Sequence, residues 1–269
     1  MRIIEFRIFM PFKIPWCRAA AKYSVNRRTR EETKGGDGFE IVDAGNFEED
    51  GVTGRYVHRI FHFKNQVPEA VRWTVPDTFA HIHEHNRNAF PHYVAKFEIP
   101  GMEGKLILDT ETKHVEYTGE DNIPDNIMGF TPEELTKREV VYPDILNGKT
   151  SKSGQFSLHG FKYEPGGIPE LKCNKKKQFY HHVPEWVKMY PEGAPLCLII
   201  KTVKFRFKWP GVQNVVERIV TNSVFPDVYL DTHRAMVYWI DEWFNMTDED
   251  LMDMEQQTKE KLSESHFDT

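Results

Sequence analysis

Residues 199–209 read IIKTVKFRFKW, and their alternation leaves the backbone little choice. Ile199, Val203, Phe205, Phe207 and Trp209 fall on one side of an extended chain, with Thr202, Lys204, Arg206 and Lys208 on the other. A side-chain period of two predicts a strand with one dry and one wet face, and therefore a sheet with something covering one side. Lys201 breaks the pattern. It stands in apolar register, where a cation is costly unless something pairs with it. The stretch RYVHRIFHF (55–63) repeats the anomaly, with Arg59 on the side of Val57, Phe61 and Phe63. Such cations can snorkel to a sheet edge or meet a core carboxylate. Two of them on aromatic-lined strands point instead to a sheet enclosing a cavity, with a ligand that is greasy and carries an anionic head. Phospholipids have that form. Two chains of about sixteen carbons represent on the order of 25 kcal/mol of water avoidance. A carrier must therefore close over its lipid and reopen at a membrane.

The remaining chain supplies such a sheet and its helices. Residues 2–10 alternate, with Ile4, Phe6, Ile8 and Met10 on one face. A helix follows from Pro15 through Trp16, Ala19, Ala20 and Tyr23, with Gly35 and Gly36 as its stop. FEIV (39–42) and RYVHRIFHF, joined by an acidic glycine-bearing turn, predict a hairpin; YVAKFEI (93–99) and KLILDTETKHVEY (105–117) predict another strand pair. TPEELTKR (131–138) has a capping box in Thr131 and Glu134. Residues 147–195, rich in Gly, Pro and Lys, read as irregular excursion. Helical spacing returns at Val212, Val215, Val216, Ile219 and Val220, and again from Leu230 to Phe244. Thr247 and Asp250 cap a last charged helix through Leu251, Met254, Thr258 and Leu262. The reading is one α+β domain over residues 1–269, a large antiparallel sheet with long helices against it.

With 269 residues, 39% of them hydrophobic, a sizeable core is available, and a net charge of −6 argues against nucleic acid or acidic surfaces as bulk partners. The Lys175-Lys176-Lys177 triplet reads as a solvated loop. Cys17, Cys173 and Cys197 form neither a ligand spacing nor an even disulfide set, which suits a reducing, cytosolic compartment. The N-terminus carries Glu5, Arg7 and Lys13 and does not read as a signal peptide, and no run reaches the length of a spanning helix. HIHEH (81–85) puts three histidines at alternate positions, a pattern that can bind zinc, but no fourth ligand is evident and the expected metal content is none. His181-His182 reads as a loop pair, and Asp109, Glu111 and Thr112 as solvated or cavity-edge groups. No cysteine has a local partner that would make it a nucleophile.

The order and spacing of several stretches resemble the phosphatidylinositol transfer protein family: YSV (23–25), GGDGFE (35–40), DGVTGRYVHRIFH (50–62), VPEAVR (67–72), IHEHNRNAFP (82–91), VKFRFKWPG (203–211), HRAMVYWIDEW (233–243) and MTDEDLMDMEQQTKEKL (246–262). The resemblance covers nearly the whole chain. It implies a START-like helix-grip fold, a concave, mostly antiparallel sheet and long helices enclosing one lipid cavity. It also implies carriage of phosphatidylinositol or phosphatidylcholine between membranes by a monomer, with no reaction, no cofactor beyond the lipid cargo and only transient contact with a membrane surface. Carried over by motif, the headgroup contacts are Arg59, where the family has a lysine, Glu84 and Asn88, Lys201, and Glu255, placed to pair with Arg59 and close the pocket.

The departures bear on which lipid is held. Val57 and Ala95 stand at threonine positions, so the resemblance does not carry phosphatidylinositol selectivity across; Ala21 and Tyr93 replace a glutamine and a cysteine. The family's Trp-Trp membrane pair is Trp209-Pro210, and Trp73 falls in its lipid-exchange loop as a second anchor. Its Gly-Arg-Gly loop has no counterpart in 147–195. The alternatives on the same scaffold are a lipid-sensing adaptor and an enzyme acting on a hydrophobic small molecule.

Overall fold

The computed structural model describes residues 1–33, 38–62, 81–119, 123–146, 156–172, 179–209, 211 and 213–263. Strand β1 (Arg2–Met10) leads through Phe12 into helix α1 (Ile14–Glu32), which has proline in its first turn, where a missing N–H costs nothing. Gly35 and Gly36 lie outside the described residues. Strands β2 (Gly38–Glu49) and β3 (Val52–His62) form the expected hairpin. Its first strand runs well beyond residue 42, with a register shift between Ile41 and Asp43. The turn is Asp50-Gly51, with φ of 52° and 75°. Two left-handed residues make the turn whose twist matches the flanking strands, which is why Asp-Gly stands there.

Strands β4 (His81–Ala89), β5 (His92–Glu98) and β6 (Leu106–Glu116) continue the meander. Next come helix α2 (Pro132–Leu135), a single turn held by the Thr131–Glu134 capping box, and strand β7 (Arg138–Pro143). The excursion that follows contains the short strand β8 (Phe179–Tyr180) and helix α3 (Glu185–Lys188), and is otherwise largely irregular among its described residues, as expected. Strand β9 (Cys197–Phe207) precedes helix α4 (Gln213–Ile219), a π-helical turn at Val220–Val224, and helices α5 (Phe225–Tyr238), α6 (Ile240–Trp243) and α7 (Asp248–Ser263). Two helical segments separate in sequence pattern thus join without an intervening loop, through the π turn.

Among the described residues the strands make one sheet of nine, ordered β2-β3-β4-β5-β6-β9-β1-β7-β8. All pairings are antiparallel except β1 with β7. Strands β4 and β7 have no clear apolar alternation, and sequence pattern did not assign them. The α+β architecture is consistent with a START-like lipid-binding fold.

Helices cover the inner face. Phe6 meets Tyr229 of α5 edge to face at 5.1 Å, and Cys17 of α1 lies 3.2 Å from Cys197 of β9. The outer face of β1 and β9 is drier than their alternation suggests, because Tyr117, Asp125, Phe130 and Glu134 lie against it. Phe9 packs on Tyr117 and Tyr142, and Lys204 pairs with Glu134. Glu5, fully buried there, is held by Arg7 at 2.6 Å and Arg138 at 3.2 Å. A buried carboxylate survives only with such partners.

Candidate functional site: a cavity under the sheet

Between the inner face and the helices lies a cavity of about 470 Å³, within the range of small-molecule sites. Its wall follows from the strand period. On β3 the odd positions Arg55, Val57, Arg59 and Phe61 face inward, and on β4 the even positions Glu84, Asn86 and Asn88 do so. Tyr93, Ala95 and Phe97 of β5, Thr110, Thr112 and His114 of β6, and Ile199 and Lys201 of β9 complete the sheet side. Helices α1, α5 and α7 close it, with Tyr229, His233 and Glu255 among their contributions. Val57, Arg59, Glu84, Asn88, Ala95, Lys201 and Glu255, all singled out in the sequence, therefore line one cavity.

Register places these groups in rows. Arg55, Asn88, Tyr93, Thr112 and Lys201 lie successively opposite one another across five strands, while Arg59 faces Glu84 in another row. Arg59 and Lys201 are four strand steps and four residues of register apart, about 23 Å on a flat sheet. Inside the cavity the separations are shorter, and the charge of Glu84 acts to raise the pKa of both Lys201 and Tyr229.

The charges are not equivalent. Arg59 donates through Nε to Glu84, which is 4% exposed and also accepts from Asn86 at 3.2 Å. Arg55, not Arg59, takes the carboxylate of Glu255, at 2.8 Å. The pairing expected from sequence is corrected because Glu84, directly across the ladder, already occupies Arg59, leaving the α7 glutamate to the cation two residues earlier. Arg55 itself was missed, although the register of Val57 and Arg59 points straight to it.

Lys201 has no carboxylate within ion-pair distance among the described residues; its ammonium sits 4.9 Å from the ring centre of Tyr229. Burial lowers its pKa to about 8, against the opposing pull of Glu84. The surrounding groups obey the same low dielectric. Burial takes His114 to about 4 and His233 to about 3, with Lys201 adding repulsion to each, and it raises the phenols of Tyr93 and Tyr229. At neutral pH the histidines and tyrosines are therefore uncharged, and Lys201 faces them as a cavity cation with no carboxylate within ion-pair distance among the described residues. Thr112 faces the cavity 3% exposed, while Glu111 points outward to His92 at 2.7 Å.

Other sequence candidates fall elsewhere. Trp209 is half-buried, stacked on Phe207 with ring centres 6.5 Å apart and Lys105 over its face. Trp73 and Pro210 lie outside the described residues. The HIHEH histidines all point to the outer face of the sheet, and among the described residues no three His, Cys, Asp or Glu side chains stand together as a metal cluster. No helix of the described residues is long and apolar enough to cross a membrane.

Comparison with known proteins finds relatives over nearly the whole chain. The sequence is 30% identical over 263 residues to phosphatidylinositol transfer protein 2 of Dictyostelium discoideum, covering 98% of this chain and 96% of that one. It is 29% identical over 263 residues to the human phosphatidylinositol transfer protein beta isoform, covering 97% and 93%. It is 27% identical over 260 residues to phosphatidylinositol transfer protein 5 of Dictyostelium discoideum, covering 97% and 85%. A family model described as phosphatidylinositol transfer protein matches residues 1–260, and the chain belongs to that family.

Proposed function

We propose that residues 1–269 act as one lipid-carrying domain, which binds a single phospholipid in the cavity and exchanges it between membranes without chemical change. Phosphatidylinositol is the favoured cargo and phosphatidylcholine the second. The observation that carries this reading is Lys201, a cation lining the cavity with its pKa lowered by burial and no carboxylate in ion-pair reach among the described residues. A lipid phosphate supplies the missing charge, and charge-assisted hydrogen bonds are the strong ones. Arg59, Glu84 and Asn88 offer the headgroup donors and acceptors, while Val57 and Ala95 offer only methyl surface. The Arg55–Glu255 pair ties α7 across the cavity and must part when the lipid leaves. Trp209 serves as an aromatic anchor during membrane contact.

The test is to extract the purified protein with organic solvent, identify copurifying lipids by mass spectrometry, and measure transfer of labelled phosphatidylinositol and phosphatidylcholine between vesicles. One phospholipid per chain and transfer of at least one of the two are expected. Absence of stoichiometric phospholipid together with absence of transfer rejects the reading. A chemically altered bound lipid would favour an enzyme, and tight binding without transfer a sensing adaptor.

A further inference from the structure

The face of the sheet turned away from the cavity gathers histidines that the lipid site does not use. His58 of β3 stands directly opposite His85 of β4, their rings stacked with centres 4.2 Å apart. His58 Nε2 lies 3.1 Å from His83 Nδ1. Asp43 of β2 faces His58, Lys96 of β5 faces His85, and Glu98 meets His85 Nε2 at 3.1 Å. An N–H···N hydrogen bond accounts for the 3.1 Å contact, and it brings two ring nitrogens side by side. Nitrogens bound tetrahedrally to zinc at 2.0–2.1 Å are about 3.3 Å apart. The separation therefore needs little change, and each ring must turn by about 35° so that the two nitrogens aim at a shared point off the line between them.

We propose that His58 Nε2 and His83 Nδ1 form a binding site for a borderline divalent transition metal of the zinc class on the outer face of the sheet. Two neutral imidazoles share one bridging hydrogen; on metal binding that proton moves to the far nitrogen of its own ring, and both facing nitrogens coordinate. Water fills the remaining positions, or His85 takes one by turning away from Glu98. His85 is half-exposed, so the metal has access, and imidazole ligands select zinc, copper or nickel over magnesium. Neighbouring strands give the rigid placement that a loop could not. The site is independent of the cavity, which lies on the other side of the same sheet.

Zinc titration of the full chain, followed by calorimetry and native mass spectrometry, tests this. One zinc per chain and no response to magnesium are expected. His58→Ala and His83→Gln should each weaken zinc binding about tenfold or more, with metal-free unfolding curves close to the parent's. His81→Ala, which touches the separate His62–His81 contact, and Cys173→Ser should bind zinc like the parent. Absence of saturable binding, undiminished binding in both His58→Ala and His83→Gln, or loss in His81→Ala or Cys173→Ser alone would overturn the assignment. Should His58→Ala fail to fold, His83→Gln decides the question.

Discussion

Replacing Lys201 with methionine separates the needs of the empty cavity from those of the loaded one. An ammonium held at about 8 instead of 10.5 costs the folded, lipid-free protein roughly 3 kcal/mol while it is charged. Water entering the cavity screens part of that, which leaves about 2 kcal/mol. Methionine has similar length and no charge, so Lys201→Met should stabilise lipid-stripped protein by about 2 kcal/mol in urea unfolding at pH 7. The sign with pH follows from linkage. Between about 8 and 10.5 the unfolded wild type holds a proton that the folded one has lost, so wild-type stability rises there. The variant's advantage is thus full below about 8 and vanishes as pH approaches 10.5. Lipid binding should change in the opposite sense. Losing a hydrogen bond to a charged group costs about 1.5–3 kcal/mol, or about ten- to a hundredfold in affinity. A variant no more stable than wild type when stripped, an advantage that ignores pH, or undiminished loading with anionic phospholipid would each refute the argument.

Four further outcomes follow from the same geometry. Loading of wild type with anionic phospholipid from vesicles should weaken as pH rises from 7 through 9, because Lys201 loses its proton; a flat profile would remove it from phosphate binding. Val57→Thr adds a hydroxyl beside Asn86, its cross-strand partner, and should raise phosphatidylinositol transfer relative to phosphatidylcholine in a paired vesicle assay. Glu255→Gln loosens a half-exposed ion pair, so stability should fall by less than about 1 kcal/mol while lipid exchange accelerates in stopped-flow fluorescence. Gly54→Ala should destabilise by about 1–3 kcal/mol in denaturant titration, since a Cβ there would meet the Asn88 carbonyl oxygen at 2.5 Å and the Phe47 ring at 2.7 Å.

Much of this architecture is written locally. Strand alternation fixed β1 and β9 and put Lys201 and Arg59 on the inward side, because a period of two depends only on the extended backbone. Asp50-Gly51 specified its turn and Thr131 with Glu134 their cap, each through contacts within four residues. The sequence pattern also brought together seven residues that line the same cavity, although that grouping rests on resemblance as much as on periodicity. Strands β4 and β7 escaped because their side chains do not alternate cleanly between apolar and polar; neighbouring strands supply their order.

Only the folded chain decides which solvent each face meets and which charges touch. An inward-facing cation reads alike whether it is destined for a carboxylate or for a void, and Arg59 and Lys201 meet these two different fates. Glu255 chooses Arg55 over Arg59, a matter of where α7 settles over the sheet. Ion pairing and desolvation act over a few ångströms, and those distances are set by sheet curvature and helix docking between residues up to two hundred positions apart. Periodicity in a sequence reports direction along the backbone; it holds no measure of that separation.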